Sequence, residues 1–185
     1  MFGAGNPQES LLQIAIMSKN WLSDVTPQHG YYIAGFADGE GSFNVSVKKR
    51  SDYQNGWKLS ASFNISQKDR VILAQIKKVL GCGTLRERQD GVVYYEVTNI
   101  SSLHDRIIPF FSKFNFLSAR KKNNFSIFKQ IVEKMYNKDH LEKDGFEEIL
   151  ELRSELNQDA GRKRKYTLEM LPNAEESSET NTQNT

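Results

Sequence analysis

From Trp57 to Ser66 every odd position is apolar and every even position is polar or basic. That period fits a strand with one dry and one wet face, because successive strand side chains point to opposite sides. The shorter run from Phe43 to Lys48 repeats it, so the pair reads as half-buried antiparallel strands whose apolar face needs a cover. Covers are at hand on both sides. Thr26-Pro27 reads as an N-cap followed by proline at the first helical position, opening a helix over Gln28 to Ala37 that ends at Asp38-Gly39. Gln67 to Leu80 reads as a second helix with an apolar stripe of Val71, Ile72, Ile76, Val79 and Leu80 and a stop at Gly81. Thr84 to Arg88 and Val92 to Thr98 flank an Asp90-Gly91 turn and read as a second strand pair. Further helices are expected near Ser101–Ser112, Ala119–Tyr136 and Phe146–Leu156. The expectation is an α+β fold, an antiparallel sheet with helices on one face.

The chain of 185 residues has room for one ordinary domain with a core. We expect an N-terminal extension over residues 1–25, a domain over 26–160, and a tail over 161–185 that opens on Arg162-Lys163-Arg164-Lys165 and turns acidic and disordered. The extension carries a short amphipathic helix from Leu11 to Trp21, with no basic residue ahead of it to suggest a secretory signal. Cys82 is the only cysteine, which excludes a disulfide framework and a cysteine zinc site. No apolar run reaches membrane-spanning length. A reducing intracellular compartment is the expected setting.

The wet face of the sheet carries Asn44, Ser46, Lys48, Lys58, Ser60, Ser62, Asn64, Thr84, Arg86 and Arg88. Such a face can simply be solvated. Its mix of amides, hydroxyls and basic groups is also the set that pairs with base edges in the major groove, which admits a β-ribbon. The net charge of +2 conceals a segregation. Ten basic residues stand against five acidic ones between Phe43 and Thr98, and four against nine between Glu133 and Ala160. A basic sheet and an acidic far end would draw phosphate to one side.

Asp38-Gly39-Glu40-Gly41 places two carboxylates at a helix C-terminus, where unpaired carbonyls already concentrate negative charge. An all-oxygen set of this kind suits a hard cation such as Mg²⁺. The plainer alternative is an Asp-Gly turn beside a solvated glutamate. His29, His104 and His140 share no spacing pattern and read as structural or exposed.

The run Tyr32-Ile33-Ala34-Gly35-Phe36-Ala37-Asp38-Gly39-Glu40-Gly41, leading into Ser42-Phe43, resembles the signature of the LAGLIDADG homing endonucleases. Phe63 to Asp69 is similar to that family's second-strand segment, and Pro109-Phe110-Phe111 with Arg120 to Phe125 is similar to its later basic helix start. The resemblance spans about Gly30 to Tyr136 and implies an αββαββα order with a saddle-shaped sheet. Three departures stand out: glutamate at the second acid, softer Tyr32 and Ala37, and a denser basic segment.

With a single signature, the chain resembles members that act as homodimers on pseudo-palindromic double-stranded DNA. The resemblance implies an intron-encoded endonuclease, dependent on Mg²⁺ or another divalent cation, that hydrolyses one phosphodiester per strand, in an organelle or a bacterial cytoplasm. Glu40 would be the metal-binding acid and the Gly39 carbonyl a further ligand. Gln67 would position the attacking water, and Lys121, with Lys122 as the alternative, would stand near the phosphate. Gly35 with Ala34 and Asp38 would lie at the dimer interface, Asp38 mainly closing the helix end. Two rivals use the same fold: an RNA-binding intron maturase, and a DNA-binding protein that does not cut.

Overall fold

The computed structural model describes residues 21–53 and 56–158. The expected N-terminal helix before Trp21 and the tail beyond Gln158 lie outside them. Helix α1 (Pro27–Glu40) runs straight into strand β1 (Gly41–Lys49), followed by β2 (Trp57–Gln67), helix α2 (Arg70–Leu80), β3 (Thr84–Glu87) and β4 (Val93–Val97). Next come α3 (Ile100–Ser102), a π turn (Leu103–Ile107), α4 (Ile108–Lys113), α5 (Ala119–Tyr136), a 3-10 turn (Asp139–Leu141) and α6 (Lys143–Glu155). The four strands form one antiparallel sheet in the order β1-β2-β4-β3. The expected α+β class and element order hold.

Local chemistry explains where the elements stop. Thr26 caps α1 by accepting from the His29 amide, with Pro27 behind it. The helix runs three residues beyond the expected end, and Glu40 is its last residue. Helix α2 starts at Arg70 rather than Gln67 because Asp69 takes the Val71 amide at 2.8 Å, which leaves Gln67 to the strand. Its buried stripe is Leu73, Ile76 and Leu80, while Val71, expected inside, is 65% exposed. The single helix expected near Ser101–Ser112 is interrupted by the π turn, closed by the Ile108 amide on the Leu103 carbonyl. Pro109 follows at once; it lacks an N–H and crowds the carbonyl four residues back, which favours widening the turn.

The core lies between the sheet's inner face and the helices. Phe43, from β1, stands 4.8 Å from Phe128 and 5.2 Å from Phe63 between ring centroids, with Phe111 and Phe116 edge-on. Such aromatic pairs add about 1 kcal/mol each to the burial they share. Gly30 of α1 belongs to this packing, since a Cβ there would meet the Phe114 ring at 2.3 Å.

Candidate active site and nucleic-acid interface

The end of α1 is where three segments meet. Asp38 faces the start of α5: its carboxylate accepts from the Leu117 amide at 3.0 Å, the Ser118 amide at 2.9 Å and the Ser118 hydroxyl. Ser118 in turn caps α5 by accepting from the Lys121 amide. Burial works against the Asp38 charge, but these bonds and the Lys121 ammonium hold its pKa below the ordinary carboxylate value. The expectation that Asp38 mainly closes its own helix end is corrected: its carboxylate instead accepts from the start of α5.

Helix α5, so anchored, returns a lysine to the acidic turn. Lys121 Nζ donates to the Gly41 carbonyl, one residue after Glu40. Burial lowers the Lys121 pKa, opposed by the nearby charges of Asp38 and Glu40. Lys122 is exposed on another side of α5. Between the two lysines, Lys121 is the one brought to the turn. Glu40 is exposed and has neither ion pair nor hydrogen bond among the described residues. Gln67 ends β2 two residues beyond the Gly41–Ile65 pair, at the same end of the sheet, with its Oε1 accepting from the Lys68 amide at 2.8 Å.

A polar clasp fixes the outer edge of β1, and the sequence reading missed it. The carbonyls of Gly41, Phe43 and Val45 point away from β2, and each has a side-chain donor. These are Lys121 Nζ, Asn157 Nδ2 at 2.7 Å and Arg153 Nε at 2.9 Å. Asn157, at φ +56°, also exchanges bonds with the buried Asn124: Asn124 Nδ2 donates to its Oδ1 at 2.9 Å, and its amide donates to Asn124 Oδ1 at 3.1 Å. Asn124 could have been flagged as a polar residue on the stripe it shares with Ile127, Phe128 and Ile131.

Gly35 and Gly39 lie on the open side of α1, where an added Cβ would meet nothing within 4 Å. Tyr31 and Tyr32, 60% and 56% exposed, stand beside them. Ala34 does not share this side; it is 2% exposed and faces the core, which corrects its expected place with Gly35.

The register sets out the polar face row by row. Asn44 lies across from Ser62, Ser46 from Ser60 and Lys48 from Lys58 on the β1–β2 half. On the other half, Asn64 and Thr84 flank Glu96, and Arg86 faces Tyr94. Arg88 falls just past β3, donating to the Tyr94 hydroxyl at 2.7 Å and pairing with Asp90 at 3.4 Å. Ser42, Ser66, Tyr94 and Glu96 also belong to this face, and the alternation of β1, β2 and β4 could have marked them.

The acidic turn fits a hard cation in donor type. Glu40 offers a carboxylate and the helix end offers carbonyls. Among the described residues no three His, Cys, Asp or Glu side chains converge. No described helix is long and apolar enough to cross a membrane.

Residues 33–132 match the family model described as LAGLIDADG endonuclease. The chain is 39% identical over 130 residues to "Probable intron-encoded endonuclease 2" of Neurospora crassa, covering 68% of this chain and 28% of that protein. It is 30% identical to "DNA endonuclease I-CvuI" of Chlorella vulgaris, covering 57% of this chain and 65% of that one. The solved archaeal intron-encoded homing endonuclease I-Vdi141I, complexed with DNA, superposes with a TM-score of 0.71 at 35% identity. That match covers 77% of this chain and 91% of the archaeal one. I-SmaMI, bound to an uncleaved DNA target with calcium ions, matches with a TM-score of 0.67 at 32% identity, over 70% of this chain and 45% of its own. The chain thus spans less than half of the Neurospora and I-SmaMI proteins.

Proposed function

This chain belongs to the LAGLIDADG endonuclease family, and we propose that it is a site-specific, metal-dependent DNA endonuclease that works as a homodimer on a pseudo-palindromic duplex. The observation that carries this reading is the division of labour in the acidic turn. Asp38 is spent inside the fold, while Glu40 stays exposed beside a carbonyl held by Lys121.

A second copy packed on the open side of α1 brings a second Glu40 alongside the first, with Gly35 and Gly39 allowing close approach and Tyr31 and Tyr32 as apolar flanks. The two Glu40 carboxylates, with the Gly39 carbonyls, would hold the divalent cation. When bound, that ion supplies Lewis-acid polarisation of the scissile phosphate. Lys121 adds positive charge at the phosphate, and its lowered pKa makes it a looser proton holder than a free lysine. The Gln67 carboxamide, whose oxygen accepts from the Lys68 backbone amide, orients the attacking water. The polar sheet face, with Lys48, Lys58, Arg86 and Arg88, follows the major groove. We place the protein in a reducing compartment, an organelle or a bacterial cytoplasm, and read its gene as intron-borne like the Neurospora relative's.

The test is target selection from a randomised duplex pool, followed by cleavage of the selected DNA with Mg²⁺ and with a chelator. Cutting of both strands that stops on chelation is expected; binding without cutting under any divalent cation would sink the enzyme reading. Gly35→Leu examines assembly separately. The lone chain has room for that side chain, so the melting temperature should hold while sedimentation shifts to monomer and cutting is lost. A mutant that still sediments as a dimer and cuts would overturn the proposed interface.

A further inference from the structure

Of the strand residues on the polar face, one is acidic. Glu96 sits in β4, an inner strand, between Asn64 of β2 and Thr84 of β3 in a row that begins at Ser42. Arg86 is one row away on β3. Even so, Glu96 has no ion pair or hydrogen bond among the described residues, and it is half-buried. Neutralisation within the fold therefore does not account for it. Nor does the cation site: Ser42, two residues from Glu40, is two strand spacings away across the sheet, about 10 Å.

An unpaired carboxylate at the centre of a face built for a polyanion is repelled by phosphates and by the acceptors of guanine and thymine. It gains only where a base offers it a donor. In the major groove the donors are the exocyclic amino groups of cytosine and adenine, and adenine places its N7 acceptor beside the amino group where cytosine presents only a C–H edge. We propose that Glu96 is a specificity-determining residue that selects cytosine at the base pair it faces. It accepts from the cytosine 4-amino group and penalises guanine and thymine there. Two copies would impose the selection at two symmetry-related positions. The inference rests on the DNA-binding reading above and adds to it the identity of one base.

The experiment uses the full chain, a randomised duplex pool and sequencing of the retained fraction, for the parent, Glu96→Gln and Glu96→Ala, with thermal melts to show equal folding. The parent should retain cytosine over guanine or thymine by about tenfold at one mirror-related pair of positions. Glu96→Gln should move that pair towards adenine, which a carboxamide contacts through N6 and N7. Glu96→Ala should flatten it, and every other position should keep its preference in both variants. Identical profiles for all three proteins would overturn the role of Glu96 and leave DNA reading intact. A parent that retains no sequence from the pool would overturn both.

Discussion

The sheet has two edges, and they are treated in opposite ways. Strand β1 is long, and its outward carbonyls at Gly41, Phe43 and Val45 are each held by a side chain from α5 or from α6 and its C-terminal end. Strand β3 runs only from Thr84 to Glu87, is largely exposed, and is guarded by its shortness and by Arg86, Glu87 and Arg88. Both solutions stop a free edge from pairing with another chain. They differ in what they permit. The β1 edge continues from Glu40, and chemistry needs atoms fixed to a fraction of an ångström. The β3 edge carries basic side chains on a short strand, which under the proposed function lets contacts adjust along a DNA groove.

The largest effect should come from the tip of the held edge. Glu40→Gln should slow cutting by about a thousandfold or more, the several kcal/mol that a metal ion contributes to a phosphoryl transition state. DNA affinity should be kept, because the sheet is untouched. Single-turnover rates beside binding isotherms would show this; equal rates would remove Glu40 from the site.

Next comes the clasp itself. Asn157→Ala removes the donor to the Phe43 carbonyl and the acceptor of the buried Asn124 Nδ2, while the backbone bond to Asn124 Oδ1 stays. It should cost about 2 kcal/mol of stability and slow cutting about ten- to a hundredfold as Lys121 and Gly41 lose their register. Denaturant melts and saturating cleavage rates measure the two effects. A stability loss with an unchanged rate would make the clasp purely structural.

On the loose edge, Arg86→Ala should leave stability within about 0.5 kcal/mol and the saturated rate unchanged, while DNA affinity falls. If Arg86 meets a phosphate, the slope of log affinity against log salt drops by about 0.9; if it meets guanine, the slope holds and base preference relaxes. A saturated rate reduced as far as in Asn157→Ala would erase the distinction between the edges.

The smallest effect concerns the 3-10 turn between α5 and α6. His140 lines a pocket with Tyr53, Trp57 and Phe146, and its Nδ1 is buried and without a hydrogen bond among the described residues. Burial lowers its pKa from the ordinary 6.5, opposed by Asp139. A folded pKa below the unfolded one means that the stability contribution is complete above about pH 6.5 and is lost as pH falls through the folded value. His140→Phe should flatten the fall in melting temperature between about pH 7 and 5, and an unchanged slope there would show that His140 is not the titrating group.

What the sequence determined by itself was whatever depends on neighbours in the chain. Alternation from Trp57 to Ser66 dictated a strand with two unlike faces. Thr26-Pro27 dictated a helix start. The signature run marked the acidic turn, and the choice of Glu40 and Gln67, with Lys121 or Lys122, came with that resemblance. Tertiary structure alone decided which lysine reaches the turn, because Lys121 and Lys122 are adjacent residues separated only by the angle at which α5 meets β1. It also turned Asp38 towards Ser118, 80 positions away, and Ala34 into the core while leaving Gly35 open. The physical reason is the same in each case. A period says which residues share a face, but hydrogen bonds between distant segments depend on how the faces meet, and that is settled only when the core around Phe43 packs.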